Sequence, residues 1–273
     1  MSGAPFREAR VGGCVEATLE TRADGTRLLR STDPLGWYPE RLTDLLEQWA
    51  QQAPERTFIA KRAPREGSGG GDWVRLSFAQ MLARARAIGQ ALVDAGLSAD
   101  RPLAILADND LEHASLMLGA MWVGVPAISV STAYALVSTD HAKLRHIFAT
   151  TTPGLVYAAS PAYAKAIAAV VPADVPVVMG QGTLEGRATR TFADLLATVP
   201  GAGAERAHAA CGPDTVVKFL FTSGSTKLPK AVTTTNRMLC SNQQVLAQTL
   251  PCITEEPPVL VDWLPWNHVF GGS

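Results

Sequence analysis

Residues 222–230 hold side chains of the kinds that bind a polyphosphate, in the uninterrupted order Thr-Ser-Gly-Ser-Thr-Lys-Leu-Pro-Lys. Gly224 lacks a Cβ, so a phosphate oxygen can approach its backbone N–H closely. Hydroxyl groups donate hydrogen bonds without ionising, and ammonium groups offset the charge of a nucleoside triphosphate. The hydroxyl donors are Thr222, Ser223, Ser225 and Thr226, and the ammonium groups are Lys227 and Lys230. This combination predicts a site for nucleotide phosphates.

A solvated turn rich in serine, threonine and glycine is the competing interpretation of residues 222–230. The two lysines, and the apolar strands predicted on both sides, favour phosphate binding instead. The loop is not a Walker A sequence, because no Gly-Lys-Ser/Thr is present, and P-loop kinases and GTPases are therefore disfavoured. A second glycine-rich stretch, residues 65–72, has no phosphate-binding spacing and is predicted to be a surface turn.

The elements that must hold the loop are a strand predicted at 215–221 before it and another at 231–234 after it. Unbroken apolar runs predict further strands at 102–107, 127–130, 155–158, 175–179 and 258–264. Helical periodicity predicts helices at 40–53, 111–123, 138–148, 161–171 and 235–250, and one more that a Ser77–Gln80 capping box opens and Gly96 ends. Buried strands separated by helices predict an α/β fold, with a mainly parallel sheet flanked by helices.

Two regions lack such patterns. Residues 1–36 show little periodicity and are predicted to be a loosely packed N-terminal arm. Residues 201–213 are rich in glycine and alanine and are predicted to be a turn region. The longest apolar stretch, 116–130, is interrupted by Pro126 and is too short to span a bilayer.

The bulk properties exclude some classes of partner. The chain has 273 residues and a formal net charge of −1, so no overall field attracts it to nucleic acid or to an acidic membrane. Cys14, Cys211, Cys240 and Cys252 form no Cys-x-x-Cys pair, which favours inert thiols in a reducing compartment. The N-terminus lacks the apolar region of a secretory signal, and a cytoplasmic location is expected.

The loop resembles the phosphate-binding signature of the adenylate-forming superfamily, which is roughly Thr/Ser-Ser-Gly-Thr/Ser-Thr-Gly-x-Pro-Lys-Gly. That superfamily includes acyl-CoA synthetases, luciferases and the adenylation domains of peptide synthetases. The chain matches the signature over 222–226 and at Pro229 and Lys230. Lys227 and Ala231 stand where glycine is usual. Lys227 removes backbone freedom but adds a charge, whereas a methyl group at Ala231 is expected to fit in a strand.

A second segment resembles the same superfamily: residues 264–271 read Leu-Pro-Trp-Asn-His-Val-Phe-Gly. A histidine beside aromatic residues is more often part of a core than of a site. The resemblance implies that His268 lies near the reacting carboxylate and has a catalytic role. It also implies that Trp266, Phe270 and Gly271 contact the acid substrate.

The order of predicted elements over 38–130 is similar to that of the superfamily as well. More narrowly, residues 133–138 and 261–268 are similar to feruloyl-CoA synthases, which activate hydroxycinnamic acids. Two alternatives remain open: a fatty-acid–CoA ligase of the same superfamily, and a non-catalytic nucleotide-binding module.

The resemblance implies a two-step reaction that uses ATP, Mg²⁺ and CoA. A small carboxylic acid attacks the α-phosphate of ATP and gives an acyl-adenylate and pyrophosphate. The CoA thiolate then displaces AMP and forms a thioester. The loop is expected to hold the β- and γ-phosphates, and Thr226 is the candidate Mg²⁺ ligand.

The sequence predicts an arm at 1–36 and an incomplete AMP-binding N-terminal domain at 37–273. It contains no Tyr-Gly-x-Thr/Ser-Glu segment for adenine and metal. The aspartate for the ribose and the C-terminal domain with its lysine, which the resemblance also implies, are expected to lie beyond Ser273. We therefore expect the 273-residue chain to have little activity alone.

Overall fold

The computed structural model describes residues 11–14, 16–63, 71–222 and 228–272. The strands are β1 (Ala17–Thr21), β2 (Arg27–Ser31), β3 (Thr57–Arg62), β4 (Trp73–Ser77), β5 (Leu103–Leu106), β6 (Ala127–Ser129), β7 (Leu155–Ala158), β8 (Val177–Met179), β9 (Arg190–Thr191), β10 (Val216–Thr222) and β11 (Lys230–Thr235). The helices are α1 (Leu42–Gln52), α2 (Phe78–Asp94), α3 (Leu111–Trp122), α4 (Ala142–Thr151), α5 (Ala164–Val170), α6 (Phe192–Leu196), α7 (Ala202–Ala210), α8 (Asn236–Thr249), α9 (Cys252–Glu255) and α10 (Val269–Gly272). A π-helical turn covers Ala133–Val137 and a 3-10 turn covers Pro161–Tyr163.

Seven strands form one sheet in the spatial order β11-β10-β6-β5-β7-β8-β9. Every neighbouring pair from β10 to β9 is parallel, and β11 joins β10 antiparallel. All four residues of β5 are buried, as expected for a parallel strand that helices cover on both faces. The predicted α/β fold with a mainly parallel sheet is confirmed.

Two apolar cores lie on opposite faces of this sheet. Leu103 and Ile105 pack into a core with α2, α3, α6 and α7, whereas Ala104 and Leu106 pack into a core with α4 and α5. This alternation follows from the two-residue period of a strand. Trp122 is the largest fully buried side chain of the first core.

The predicted capping of α2 is confirmed. The Gln80 backbone N–H donates to Ser77 Oγ at 3.3 Å, and the Ser77 N–H donates to Gln80 Oε1 at 2.9 Å. Gly96 follows the helix with φ +69°, in the left-handed region that favours glycine. The sequence signals at both ends of this helix therefore determined its bounds.

The prediction of a turn region at 201–213 is wrong, because α7 occupies most of it. Its alanines are strong helix formers, and Ala204 and His208 bury one face of the helix. Gly201 and Gly203 lie at its start, where Gln90 of α2 accepts the backbone N–H of Gly201 at 3.1 Å. The glycines mark the entry to a helix and not a turn.

The strand predicted at 258–264 is not formed in the described part of the chain. Residues 257–263 lie in irregular backbone, and Val259 is 93% exposed. β-branched composition alone does not make a strand, because a strand needs a neighbour to pair with. The helix predicted at 138–148 also differs: a π-helical turn precedes it, and α4 begins only after His141, whose φ is +50°.

The predicted arm contains an antiparallel hairpin, β1–β2, whose turn is Asp24-Gly25. Asp24 Oδ1 accepts the N–H of Thr26 at 2.9 Å, and Gly25 has φ +84°. Asp-Gly is a common sequence signal of a hairpin turn. The predicted surface turn at 65–72 lies between β3 and β4, and residues 65–70 are outside the described residues.

Burial confirms part of the cysteine prediction. All four cysteines are free, and Cys211 and Cys240 are buried. Burial raises the pKa of both thiols, that of Cys240 to about 11, which suppresses the reactive thiolate. Cys14 is exposed. Across the described ranges, no helix has the length and apolar character needed to cross a membrane.

Candidate functional site

Both candidate segments adjoin β10. The phosphate loop leaves the C-terminal end of β10 at Thr222 and returns at Lys230, the residue paired with it across the β10–β11 hairpin. The segment that contains His268 leads into α10, which packs on the same strand. Parallel strands place their C-terminal ends on one edge, where α/β folds bind ligands.

The described ends of the loop show how it is held. Thr222 Oγ1 donates a long hydrogen bond of 3.5 Å to the Lys230 carbonyl, so that hydroxyl closes the hairpin. Lys230 is exposed and Pro229 is buried. The remaining predicted phosphate ligands lie outside the described residues, and their roles stay predictions: Ser223, Gly224, Ser225, Thr226 and Lys227.

His146 of α4 holds the exit of the loop. Its Nε2 lies 3.0 Å from the Pro229 carbonyl oxygen. A carbonyl only accepts hydrogen bonds, so Nε2 carries the proton and donates it. The two residues are 83 positions apart, and no local pattern in the sequence could have paired them.

Asn109, in the turn between β5 and α3, forms two hydrogen bonds to residues 264–266, the segment before His268. We call this pair of hydrogen bonds the Asn109 bracket. The Nδ2 of Asn109 donates to the Leu264 carbonyl at 2.7 Å, and its Oδ1 accepts the N–H of Trp266 at 2.9 Å. The His268 N–H donates to the Pro265 carbonyl at 3.1 Å, which forms a turn into α10. His268 is exposed at this turn.

Trp266 is anchored through its ring. The ring packs edge-to-face on His113, with centroids 5.3 Å apart and planes at 76°. Its Nε1 donates to Asp262 Oδ2 at 2.7 Å. The predicted contact between Trp266 and an acid substrate stays a prediction, and the structure adds a structural role for this side chain.

His113 is a buried, neutral imidazole. Its Nδ1 lies 3.1 Å from the Asp108 carbonyl and must donate to it, so Nε2 accepts from the Ser129 hydroxyl at 2.8 Å. Burial lowers the pKa of His113 to about 4, against a smaller opposing effect of the Asp108 hydrogen bond. Both nitrogens are therefore satisfied by the uncharged ring.

Lys218 links α10 to β10. Its ammonium is buried and donates to the Gly272 carbonyl, and burial lowers the pKa of this amine to about 8. A Cβ on Gly271 would lie 2.6 Å from the Pro265 carbonyl oxygen, so glycine is needed for this close packing. The substrate contacts predicted for Gly271 and Phe270 stay predictions, and the side chain of Phe270 is outside the described part.

The prediction that Thr226 binds Mg²⁺ stays a prediction. None of the groups of histidine, cysteine, aspartate and glutamate within the described residues is arranged to hold a metal ion. Thr226, the predicted ligand, lies outside them.

The fold and the two segments define an α/β domain of the adenylate-forming class, and comparison with known proteins gives its family. The model of the AMP-binding enzyme family matches residues 46–273, so the chain belongs to that family. The predicted adenylate-forming superfamily is thereby confirmed, whereas the closer likeness to feruloyl-CoA synthases stays a prediction.

Curated relatives come from mycobacteria. A protein of Mycobacterium tuberculosis that carries the name fatty-acid–CoA ligase fadD25 is 25% identical over 72% of this chain and 32% of its own length. A protein of Mycobacterium leprae named fatty-acid–CoA ligase fadD21 is 29% identical over 73% of this chain and 34% of its own length. The chain thus spans about a third of the length of these relatives.

Solved structures show the same fold. A long-chain-fatty-acid CoA ligase structure from Rhodopseudomonas palustris superposes with a TM-score of 0.64 at 21% identity, covering 85% of this chain and 53% of that one. A fatty acyl-adenylate ligase from L. pneumophila, solved with acyl adenylate and pyrophosphate, superposes with a TM-score of 0.53 at 19% identity. This match covers 74% of this chain and 31% of that one.

Proposed function

We propose that the chain is part of an ATP-dependent carboxylic acid–CoA ligase and binds the pyrophosphate end of ATP through residues 222–230. A carboxylate oxygen attacks the α-phosphorus, the bond to the β-phosphate breaks, and pyrophosphate leaves. The thiolate of CoA then attacks the acyl carbon and AMP leaves. The observation that carries this proposal is that both family segments adjoin one strand, β10: Thr222 and Lys230 pair at the described ends of the loop, and α10 packs on the same strand.

In this proposal Lys230 and the loop stabilise the charge that develops on the departing pyrophosphate. Lys230 is exposed at the point where β11 begins, so its ammonium is available to a ligand. His268 stands on the turn that Asn109 brackets, and in this proposal its side chain acts on the acid half of the reaction. Positioning and charge neutralisation supply most of the rate enhancement in phosphoryl-type transfers.

Two substrate classes have support. The names of the curated relatives favour a fatty acid, which we take as the first candidate. The resemblance of residues 133–138 and 261–268 favours a hydroxycinnamic acid such as ferulate. Stable N-acylsulfamoyl adenosines with a dodecanoyl or a feruloyl group would distinguish them by calorimetric titration, and the tighter ligand identifies the class.

Lys230→Ala is expected to weaken binding of ATP and of pyrophosphate roughly 10-fold or more, because it removes a charge-assisted hydrogen bond. Isothermal titration calorimetry with each ligand measures this. Lys230→Arg keeps the charge and is the matched control, with an expected loss of less than about threefold. Equal affinities of the parent chain and Lys230→Ala would contradict the assignment of the loop.

His146→Ala is expected to weaken pyrophosphate binding severalfold, because the loop exit loses the hydrogen bond to the Pro229 carbonyl. His146→Gln retains an N–H donor and should restore part of the affinity. The same titration gives the comparison. An identical affinity for His146→Ala and the parent chain would show that the loop is held without this contact.

We further propose that the 273-residue chain alone forms little thioester, since it spans about a third of its relatives' length. Steady formation of acyl-CoA from dodecanoate or ferulate with ATP and CoA would overturn this. The rival interpretation, a non-catalytic nucleotide-binding module, predicts ATP binding without affinity for either acylsulfamoyl adenosine.

A further inference from the structure

We propose that Asn109 is the positioning residue of the His268 segment and sets its placement against the acid substrate, an inference that rests on the proposed function. Asn109 lies in neither of the two family segments. Its carboxamide joins the C-terminal edge of β5 to residues 264–266, which are 155 to 157 positions further along the chain.

The bracket uses both ends of one carboxamide. Nδ2 donates to the Leu264 carbonyl, and Oδ1 accepts the N–H of Trp266. One planar group thus holds a backbone acceptor and a backbone donor two residues apart. This sets the distance of the segment from the β5–α3 turn and its rotation relative to that turn. Aspartate has the same shape but no donor, so it would place a carboxylate oxygen beside the Leu264 carbonyl.

Asn109 is itself held on both sides. Asp110 caps α3 by accepting the N–H of Leu111 at 2.6 Å, and it pairs with Lys61 at 2.6 Å. On the other side, the Asp108 carbonyl accepts from Nδ1 of buried His113. The turn that carries Asn109 therefore has little freedom, which a positioning residue requires.

The bracket acts on His268 through a short path. The Trp266 ring rests on His113, so the segment has a second contact with α3. The His268 N–H donates to the Pro265 carbonyl, and the His268 carbonyl accepts the N–H of Gly272 at 2.8 Å. Loss of the bracket at 264–266 would therefore shift the turn on which His268 stands.

The phosphate loop is held by different contacts. Its ends pair across the β10–β11 hairpin, and His146 binds the Pro229 carbonyl. A change at Asn109 should therefore affect binding of the acyl group and leave binding of phosphates intact. This separation distinguishes a positioning role from a general loss of structure.

The test compares Asn109→Asp and Asn109→Ala with the parent chain and with Asn242→Asp, a matched change at an exposed position of α8. Titration with pyrophosphate and with dodecanoyl- and feruloyl-sulfamoyl adenosine measures affinity. Both Asn109 variants are expected to bind the preferred acyl ligand roughly 10-fold or more weakly, and pyrophosphate within twofold of the parent. The Asn242 control should match the parent for all ligands.

Amide hydrogen exchange followed by mass spectrometry gives a second readout. Peptides covering residues 264–272 should exchange at least about 10-fold faster in the Asn109 variants, with β10 unchanged. Unchanged acyl affinity together with unchanged exchange would overturn the proposal, as would an equal loss of affinity for both kinds of ligand. If the parent chain does not bind pyrophosphate, the proposed function fails. If it binds neither acyl ligand, the exchange rates alone decide whether Asn109 holds the segment.

Discussion

Trp122→Ala is expected to lower the free energy of unfolding by about 3–5 kcal/mol, the range for deleting a large aromatic side chain from a core. Trp122, the last residue of α3, is fully buried in the first core. Its ring stacks on His208 of α7, with centroids 3.7 Å apart and parallel planes, and the Arg86 guanidinium lies 5.8 Å from its centroid. Alanine would leave a cavity between three helices.

Trp122→Phe is the matched control. Among the described residues, the buried Nε1 of Trp122 has no hydrogen-bond partner, a state that costs about 1–3 kcal/mol. Phenylalanine keeps a ring against His208 and removes this unsatisfied N–H, so it should be at least about 2 kcal/mol more stable than the alanine variant. Urea unfolding followed by circular dichroism measures both. An alanine variant within about 1 kcal/mol of the parent would show that the core collapses around the cavity.

Acidification from pH 6.5 to about 4 is expected to remove roughly 3 kcal/mol of stability through His113 alone. Burial lowers its pKa in the folded chain to about 4 from an ordinary value of 6.5. Between these values the unfolded chain binds a proton that the folded chain does not, so the free energy of unfolding falls as the pH falls. His208 acts in the same direction, because burial and the nearby Arg41 also lower its pKa.

Unfolding curves at several pH values between 4.5 and 6.5 test this. The exposed aspartates with lowered pKa values lose their contributions mainly below this window, because their ordinary value is 3.8: Asp24, Asp140, Asp194 and Asp214. His113→Asn cannot bind the extra proton, so its free energy of unfolding should depend much less on pH, although its stability at neutral pH will be lower. If the free energy of unfolding of this variant changes with pH as steeply as that of the parent, other groups cause the effect.

Local patterns predicted most of the sheet. The strand at 155–158 was predicted with the bounds that β7 has, and the helix at 111–123 agrees with α3 to one residue. In both segments the apolar pattern is unbroken and its ends are marked, so local propensity and burial favour the same element. The strand at 258–264 shows the limit of this reasoning, because its apolar residues find no strand to pair with in the described part of the chain.

Of the candidate site, motif spacing predicted only two segments, residues 222–230 and the His268 turn, because the residues of each are consecutive in the chain. The roles of their residues stay predictions. Local patterns do not predict the contacts of Asn109, His146 and Lys218, because their partners are 155, 83 and 54 positions away. The order of strands in the sheet brings such partners together, and it cannot be predicted from any short stretch of the sequence.

The distance along the chain that the Asn109 bracket spans has a consequence for biosynthesis. Its two sides are separated by 155 residues, so at about 5–20 residues per second the asparagine is made roughly 10 to 30 seconds before the segment it holds. During that interval β5 and α3 can already fold. A ribosome that stalls before residue 264 would therefore carry a nascent chain in which Asn109 is in place but the segment that it holds is missing.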